Sequence, residues 1–324
     1  MSERLLDGVS VVVPAFRSAA SLPRLADRLA EVLGPAAIPY ELVLVDDGSE
    51  DGTWEAIERL AAEREEVRGL RLARNYGQQS ALLAGIRSAR RAQIVTLDDD
   101  LQYRPESIPA LLDALAAGAD LVYGMAEERR HRRGREWTTS LAKRLMRVAT
   151  GDPMVTRISA LRAFRTQLRE GFTTFDGPYV SIDALLLWST RRIAEITVPH
   201  DPREEGRSGY SPRSLARHAL TVVVGFSSRP LRAASALGFL CTVLGALLLA
   251  YVLLRYALSG SHVPGFAFLA STITIFSGVQ LFALGVIGEY LARMYPRVMG
   301  HPAYAVAAEV GERDEASATA GDEQ

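Results

Sequence analysis

The sequence predicts an α/β protein with a doubly wound, mostly parallel sheet, followed by an interfacial helix and two transmembrane helices. Short β-branched runs alternate with amphipathic segments from residue 9 to residue 124, the pattern of βαβ units in a parallel sheet. Acidic side chains follow several of these runs, and two long uncharged segments occupy the last third of the chain. Because ligands of such sheets bind beyond the carboxyl ends of the strands, we expect the functional site at that edge.

The alternation can be assigned element by element. Strands are predicted over residues 9–13, 40–45, 67–72, 94–97 and 120–123. Helices are predicted near Ser21, Thr53, Gln79 and Pro105, with Ser21 and Thr53 as caps because a hydroxyl oxygen can accept from a free helical N–H. The loops at residues 14–16, 46–49, 75–77 and 98–102 then fall on the carboxyl edge of the sheet.

The most informative stretch is IVTLDDDLQY at residues 94–103, an apolar strand that ends in three aspartates. If the triplet is extended, Asp98 and Asp100 point to one side and Asp99 to the other. Two neighbouring carboxylates are costly to bury without a cation, and a hard divalent ion, Mg²⁺ or Mn²⁺, fits them best. The alternative is that the triplet caps the next helix or faces water.

The other loops on this edge indicate a nucleotide ligand. The first strand is followed by Pro14, Ala15 and Phe16, so the dinucleotide fingerprint is absent there, and the chain has no P-loop sequence. Asp46 or Asp47 could accept a hydrogen bond from a base N–H or a ribose hydroxyl. A metal on the triplet would then hold a diphosphate that the aspartates alone would repel.

Composition narrows the function classes. The 37 basic and 38 acidic residues give a net charge of -1, so the overall charge does not indicate nucleic-acid binding. Cys241 is the only cysteine and lies in an apolar run, which excludes a disulfide framework and a thiolate metal site. The first residues, MSERLLDG, lack the pattern of a secretory signal. We therefore expect the polar part of the chain in a reducing cytoplasm.

Charged residues beyond residue 124 could contribute to the site. Arginines crowd residues 129–147, either as a local phosphate site or as a solvated helix. Asp152, Asp176 and Asp183 are carboxylates that could reach the site, although each is more commonly a cap or turn residue. We rank Asp183 first among the three.

Two apolar segments distinguish the last third of the chain. Residues 236–254 and 265–288 carry no charge, and each is long enough to cross a bilayer core of about 30 Å. Their close succession favours a membrane hairpin over two buried core helices. Arginines are dense before the first segment and recur after the second, which places both termini in the cytoplasm. Residues 214–226 have apolar side chains near helical spacing and are predicted to lie on the membrane interface.

These features divide the chain into four predicted parts. They are a cytoplasmic α/β domain at 1–212, an interfacial helix at 213–230, a transmembrane hairpin at 231–300, and a polar tail at 301–324 that is expected to be disordered. The protein is thus predicted to be a multi-pass protein of the cell inner membrane. A homo-oligomer is compatible with this arrangement.

Several motifs together resemble a known family. VVVPAF, ELVLVDDGSEDGT, RLARNYGQQSALLAG, VTLDDDLQ and GVQLFALGVIGEYLARMY follow the pattern of family 2 glycosyltransferases that act on polyprenyl phosphates. The resemblance is to the group of dolichol-phosphate mannose synthase and undecaprenyl-phosphate glycosyltransferases, and it covers roughly residues 9–304. It implies a GT-A catalytic domain, an interfacial helix and two transmembrane helices.

The resemblance also implies functional residues. It implies that Asp98, Asp100 and Gln102 hold the metal and the donor diphosphate, and we add Asp183 as a third candidate catalytic carboxylate. The candidate donor-binding residues are Pro14, Ala15, Phe16, Asp46, Asp47, Asn75, Gly77, Asp99 and Gln102. The candidate residues for the acceptor phosphate are Arg129, Arg133, Arg135, Arg207, Ser208 and Tyr210.

Two departures from the family pattern concern the acceptor. Many relatives have an aspartate, proposed to be catalytic, ahead of an F-R-L motif where this chain has Ala160. A phosphate monoester, whose second pKa is about 6, is already ionised near neutral pH and needs positioning more than deprotonation. The family's G-E-S-K-Y motif reads GRSGY at residues 206–210. Arg207 could therefore replace the lysine, or the arginines at 129–135 could hold the acceptor phosphate.

The sequence as a whole favours an inverting transfer of one sugar from a nucleotide-diphosphate sugar to polyprenyl phosphate on the cytoplasmic face of the membrane. A processive polysaccharide synthase would need more spans and usually a Q-x-x-R-W element, and neither is found. A non-catalytic, membrane-anchored nucleotide-sugar-binding protein is the other alternative, which Ala160 leaves open.

Overall fold

The computed structural model describes residues 8–127, 158–173, 175, 180–201, 229–259 and 265–311. The described chain falls into two compact units. The first contains the described residues up to 201 together with residues 300–311, and the second contains residues 229–259 and 265–299.

An eight-stranded sheet organises the first unit, in the order β7-β5-β6-β4-β1-β2-β3-β8. Its strands are β1 (Val9–Ala15), β2 (Tyr40–Asp46), β3 (Val67–Leu72), β4 (Gln93–Thr96), β5 (Leu121–Ala126), β6 (Arg162–Arg165), β7 (Ile193–Val198) and β8 (Val306–Val310). β1 pairs in parallel with β2 and β4, β2 with β3, and β5 with β7. β6 and β8 are antiparallel to their neighbours. The predicted mostly parallel sheet is therefore confirmed.

Helices cover both faces of this sheet. They are α1 (Leu22–Leu33), α2 (Thr53–Glu63), α3 (Gln78–Ser88), α4 (Ile108–Ala116) and α5 (Ile182–Ser189), with 3₁₀ turns at Pro105–Ser107 and Thr166–Phe172. In α1 the buried leucines recur at helical spacing, Leu22, Leu25, Leu29 and Leu33, and pack on one core. The side chains of α3 belong to a second core. Two separate cores on one sheet confirm the doubly wound arrangement.

The starts of α1 and α2 differ from the sequence prediction. The Ser21 side chain donates to the Ser18 carbonyl at 3.1 Å and does not cap α1. Thr53 lies inside α2, after Gly52 with φ of 85°. Its hydroxyl oxygen accepts the backbone N–H of Ser18 at 2.9 Å, so it joins the loop after β1 to α2 instead of capping the helix.

The acidic triplet is also not extended as predicted. β4 ends at Thr96, and the aspartates lie in a turn that leads to the 3₁₀ turn at Pro105–Ser107. Leu101, directly after the triplet, has a φ of 57°. Because the chain reverses here, strand alternation does not decide where the three carboxylates point.

The tail predicted to be disordered contributes a strand. β8 pairs antiparallel with β3, so the expectation of disorder is wrong for residues 306–310. The pairing is possible because Gly69 lacks a side chain. A Cβ there would lie 2.3 Å from Ile57 Cγ2 and 2.8 Å from Val310 Cγ2. Residues 312–324 lie outside the described chain.

The second unit contains two long helices, α6 (Arg229–Ser259) and α7 (Phe266–Val298). Their most apolar stretches are Ala234–Arg255, with a mean hydropathy of 2.5, and Ile275–Pro296, with 1.5. At 22 residues each, both are long enough to cross a bilayer, and protein buries neither of them. The predicted span at 236–254 lies within α6, and the one at 265–288 lies within α7 except for its first residue. The predicted interfacial helix at 214–226 falls outside the described residues.

Candidate active site

The carboxyl ends of β1, β2 and β4 bring the acidic loops to one edge of the sheet. Each aspartate of the triplet is held by a different group. Gln78 Nε2 donates to Asp98 Oδ1 at 2.7 Å, the Ser18 hydroxyl donates to Asp99 Oδ2, and the Gln102 backbone N–H donates to Asp100 Oδ1 at 3.1 Å. The triplet is therefore fixed from α3, from the loop after β1, and from within its own turn.

The triplet concentrates negative charge. Burial, together with the neighbouring carboxylates of Asp100 and Asp99, raises the pKa of Asp98 to about 6, against the opposing effects of Arg162 and the Gln78 hydrogen bond. A carboxyl with so high a pKa is unfavourable to ionise in the protein as it stands. A cation placed against Asp98 would relieve this cost.

The residues present fit a divalent cation that is shared with a ligand. Within the described residues, no three or more His, Cys, Asp or Glu side chains form a complete metal cage. Mg²⁺ is commonly held by one or two carboxylates together with substrate phosphates and water. Asp98 and Asp100 supply such a partial set of hard oxygen donors, and a divalent ion would neutralise the charge of Asp98, whose pKa is raised by burial and by its acidic neighbours. Gln102 as a third ligand remains a prediction.

The second acidic pair lies at the end of β2, and the protein uses both of its carboxylates internally. Asp46 is completely buried. Its Oδ1 accepts the Ser49 N–H at 2.9 Å, and its Oδ2 lies 3.6 Å from Arg71 Nε. Asp47 accepts the backbone N–H groups of Tyr76 at 2.7 Å and Gly77 at 2.8 Å. Burial raises the pKa of Asp47, which these two N–H groups partly counteract. Asp47 therefore joins the loops after β2 and β3.

The remaining predicted donor residues lie around these loops. Pro14 and Ala15 are buried at the end of β1, whereas Phe16 is 44% exposed, with the Arg17 guanidinium 5.3 Å from its ring centroid. Asn75 is exposed on the loop that Asp47 holds. An exposed aromatic ring beside exposed polar groups suits a nucleotide base. The structure thus brings together the predicted donor residues of all four loops, and their contact with a donor remains a prediction.

Asp183, predicted as a catalytic carboxylate, lies inside the protein. It is 7% exposed, forms an ion pair with Arg162 and accepts a hydrogen bond from the Tyr123 hydroxyl at 3.0 Å. Burial and the Asp183 carboxylate both raise the pKa of Tyr123, so its hydroxyl stays protonated. Asp183 is therefore placed as the counter-charge of a buried arginine, which such an arginine requires.

Sequence analysis missed the role of that arginine. Arg162 Nε donates to Thr96 Oγ1 at 2.8 Å, and Thr96 Oγ1 donates to the Ala160 carbonyl at 2.9 Å. Arg162 is 2% exposed and pairs in register with Thr96, the last residue of β4 before the triplet. The strand β6 begins with Arg162 and ends with Arg165, so the sequence gives no signal that singles out Arg162, and its partner Asp183 is distant in sequence. At position 160, only a methyl group stands where relatives are proposed to have a catalytic carboxylate.

The predicted acceptor residues cannot be placed. Arg129, Arg133, Arg135, Arg207, Ser208 and Tyr210 lie outside the described residues, as do Asp152 and Asp176. Their roles remain predictions.

Comparison with known proteins assigns this acidic edge to a family. The family described as Glycosyl transferase family 2 matches residues 10–176, a segment that begins within β1 and includes β2 to β6 and the triplet. This chain belongs to glycosyltransferase family 2. The resemblance drawn from its motifs and the GT-A fold are thereby confirmed, and the chain is a glycosyltransferase.

Similarity to undecaprenyl-phosphate 4-deoxy-4-formamido-L-arabinose transferases extends over almost the whole chain. The enzyme of Pseudomonas paraeruginosa is 36% identical over 303 residues, which cover 92% of this chain and 89% of the relative. The enzyme of Aeromonas hydrophila is 34% identical over 299 residues, which cover 91% of this chain and 92% of the relative. The similarity therefore extends beyond the sheet into the segment with the apolar helices.

Solved structures share the fold of the first unit. Glucosyl-3-phosphoglycerate synthase from Mycobacterium tuberculosis, in complex with Mg²⁺ and uridine diphosphate, has a TM-score of 0.52 at 20% identity. The match covers 68% of this chain and 79% of that protein. At this identity the likeness concerns the fold alone.

Proposed function

We propose that this enzyme transfers a single sugar, with inversion, from a nucleotide-diphosphate sugar to a polyprenyl phosphate of the undecaprenyl type. The observation that carries the proposal is the acidic carboxyl edge, where the triplet after β4 stands beside the loops after β1, β2 and β3. The printed names of the most similar relatives support the acceptor, because they are undecaprenyl-phosphate sugar transferases. Family membership supports sugar transfer as the reaction.

The donor is proposed to bind through its base on one side and its diphosphate on the other. Phe16 and Asn75 are exposed at the base side, and Asp98 and Asp100 stand at the diphosphate side. Mg²⁺ or Mn²⁺ held by these two aspartates would stabilise the charge that develops on the departing diphosphate. Ser18 and Gln78 keep the triplet in place for this task.

In the proposed reaction, an oxygen of the acceptor phosphate attacks the anomeric carbon of the donor sugar. A bond forms between that oxygen and that carbon, and the bond from the carbon to the donor diphosphate breaks. The electron pair of the broken bond leaves on the diphosphate oxygen. One displacement from the opposite face inverts the anomeric configuration. Because the acceptor is already ionised near neutral pH, the reaction proceeds without a carboxylate at position 160.

The acceptor's lipid chain supports a location in the cell inner membrane. The stretches Ala234–Arg255 and Ile275–Pro296 are apolar, long enough to span a bilayer, and not covered by protein. We propose a hairpin with both termini and the catalytic domain in the cytoplasm, from the arginines that flank it in sequence. The cytoplasmic face is also where nucleotide sugars are available.

A transfer assay tests this proposal. Membranes containing the full chain are incubated with Mn²⁺, a panel of nucleotide sugars and a short-chain polyprenyl phosphate, and lipid products are identified by mass spectrometry. The expected product is the acceptor plus one sugar, and it disappears with EDTA. Products that carry many sugars would support a processive synthase instead. Nucleotide binding without any product would support a non-catalytic binding protein.

A further inference from the structure

The segment at residues 300–311 follows both apolar helices in the chain and still belongs to the first unit. Its strand β8 completes one edge of the sheet by pairing with β3. Ala308 and Val310 pack against the core that includes β1 and α1, whereas Ala307 and Glu309 are exposed. β8 therefore has one face that docks on the domain and one face that does not.

Residues just before β8 contact the start of the loop at residues 73–77 and the last turn of α3, the helix that follows this loop. At the start of the loop, the Ala73 N–H donates to the Ala305 carbonyl at 2.9 Å. Beyond its end, in α3, the Arg87 guanidinium lies 5.6 Å from the Tyr304 ring centroid, and Arg87 Nη1 lies 3.5 Å from the Tyr304 hydroxyl. Tyr304 and Tyr76 pack against the same hydrophobic core. The C-terminal segment thus holds the start of this loop directly, and Tyr304 contacts the helix that follows the loop and shares a core with Tyr76.

The braced loop is the one that Asp47 holds through the N–H groups of Tyr76 and Gly77. The two loops also touch directly at Gly48, where a Cβ would lie 2.6 Å from the Arg74 carbonyl carbon and 2.8 Å from the Asn75 nitrogen. A shift of the loop at 73–77 would therefore displace the loop after β2 as well.

We propose that β8 and Tyr304 are positioning elements of the donor site. They hold the loop at residues 73–77 in the conformation that presents its N–H groups to Asp47. Donor affinity then depends on a segment that the chain reaches only after the second apolar helix. This inference rests on the proposed function for the identity of the ligand, but the bracing of the loop can be measured without any ligand.

The test compares full-length variants that differ in which face of β8 they alter. Ala308→Asp places a charge on the docked face, and Ala307→Asp places the same charge on the exposed face of the same strand. Tyr304→Ala removes the ring that lies against Arg87, and Tyr304→Phe retains it. The rate of hydrogen exchange at the Tyr76 and Gly77 amides measures local opening of the loop at residues 73–77. Binding of UDP, GDP, CDP and ADP in Mn²⁺, and steady-state kinetics, report the donor site.

Tyr304→Ala and Ala308→Asp are expected to accelerate exchange at these two amides by about tenfold, because local opening becomes easier. The dissociation constant of the best-bound nucleoside diphosphate should rise by a similar factor, together with the donor KM. The turnover number at saturating donor and the acceptor KM should stay at the wild-type values. Tyr304→Phe and Ala307→Asp should behave like the wild type, which a general loss of folding would not reproduce.

Three results would overturn the proposal. The first is unchanged exchange at both amides in Tyr304→Ala and Ala308→Asp. The second is faster exchange with unchanged nucleotide affinity, which would separate the loop from the donor site. The third is an equal effect of Ala307→Asp and Ala308→Asp. If the wild type binds none of the four nucleotides, the proposed donor is wrong, and exchange alone still decides whether β8 braces the loop.

Discussion

Glu41 at the amino end of the parallel strands and the acidic triplet at their carboxyl end differ in how their carboxylates are stabilised. At the amino end, Glu41 accepts the Ser10 hydroxyl and the Arg90 N–H on one oxygen, both at 2.6 Å, and Arg68 Nη1 lies 3.1 Å from the other. At the carboxyl end, the aspartates of the triplet crowd one turn, and the pKa of Asp98 rises to about 6 because of burial and its acidic neighbours.

This difference suggests separate roles: Glu41 contributes to folding, and the triplet contributes to ligand binding. Glu41 finds its partners inside the protein, and its network joins the starts of β1, β2 and β3. In the triplet, the opposing effects of Arg162 and Gln78 do not prevent the pKa of Asp98 from being raised. A carboxyl whose pKa is strongly raised by burial and by acidic neighbours, at the carboxyl edge of a sheet, is typical of a functional site. Mutations at the two ends should therefore affect different properties.

The largest expected effect on folding lies beneath the carboxyl end, at the buried pair of Arg162 and Asp183. Arg162→Met should lower the free energy of unfolding by about 3–5 kcal/mol, because it leaves the Asp183 charge buried without its partner. Thermal unfolding of the full chain in detergent measures this. The double variant with Asp183→Leu should recover much of the loss, and the exposed control Arg59→Met should be neutral. A double variant no more stable than Arg162→Met would contradict the pairing.

Loss of a triplet carboxylate should abolish most activity and spare the fold. Asp98→Asn or Asp100→Asn is expected to lower turnover by on the order of a hundredfold or more, equivalent to about 2.7 kcal/mol, because stabilisation of the leaving diphosphate is lost. EDTA should have the same effect on the wild type. Asp113→Asn, at an exposed position on α4, is the control. Full activity of either triplet variant in EDTA would refute the assigned metal site.

A substitution at the amino end should instead lower stability and leave turnover unchanged. Glu41→Gln is expected to cost about 1–3 kcal/mol of stability, since the neutral amide leaves the buried Arg68 charge with a weaker partner. Turnover of the protein that remains folded should be unchanged. The exposed Glu58→Gln is the matched control for the stability measurement. A fall in turnover per folded molecule would show that the amino end also contributes to catalysis.

These contrasts also show what the sequence could reveal. The apolar runs that begin at residues 9, 40 and 67 predicted three strands correctly, because buried parallel strands are continuously apolar. The loops that follow these strands showed where the carboxyl edge of the sheet lies. The pairing of β8 with β3 was not predictable, because Gly69 and Val310 are far apart in the sequence and become neighbours only in the folded protein. The turn of the triplet was missed because it depends on the backbone of Leu101, a residue that does not favour positive φ. Arg162 and Asp183 were missed as a pair because they lie on separate elements.

The smallest expected effect is a pH-dependent gain of stability in metal-free protein. The pKa of Asp98 is raised from its ordinary value to about 6, so the folded state holds this proton more tightly than the unfolded chain. Its contribution to stability is therefore present at low pH and is lost as pH rises through about 6. The Asp98→Asn variant does not lose stability in this way, because its amide does not ionise. Because the side chain is partly exposed, we expect the variant to be more stable by roughly 1–2 kcal/mol above pH 7, with no difference near pH 4.

That gain should be measured by thermal unfolding in EDTA across this pH range. Mn²⁺ with a nucleoside diphosphate should restore the stability of the wild type and leave Asp98→Asn unaffected. Equal pH profiles of the two proteins would show that Asp98 carries no unfavourable charge in the folded state.

The most direct test of the acidic edge is the metal dependence of nucleotide binding. The dissociation constants of UDP, GDP, CDP and ADP are measured by calorimetry on the full-length protein, with Mn²⁺ and with EDTA, for the wild type, Asp98→Asn and Glu41→Gln. We predict that at least one nucleotide binds the wild type and Glu41→Gln more tightly in Mn²⁺, and that Asp98→Asn loses this gain. An equal gain from Mn²⁺ in Asp98→Asn and in the wild type would contradict the proposed role of the triplet.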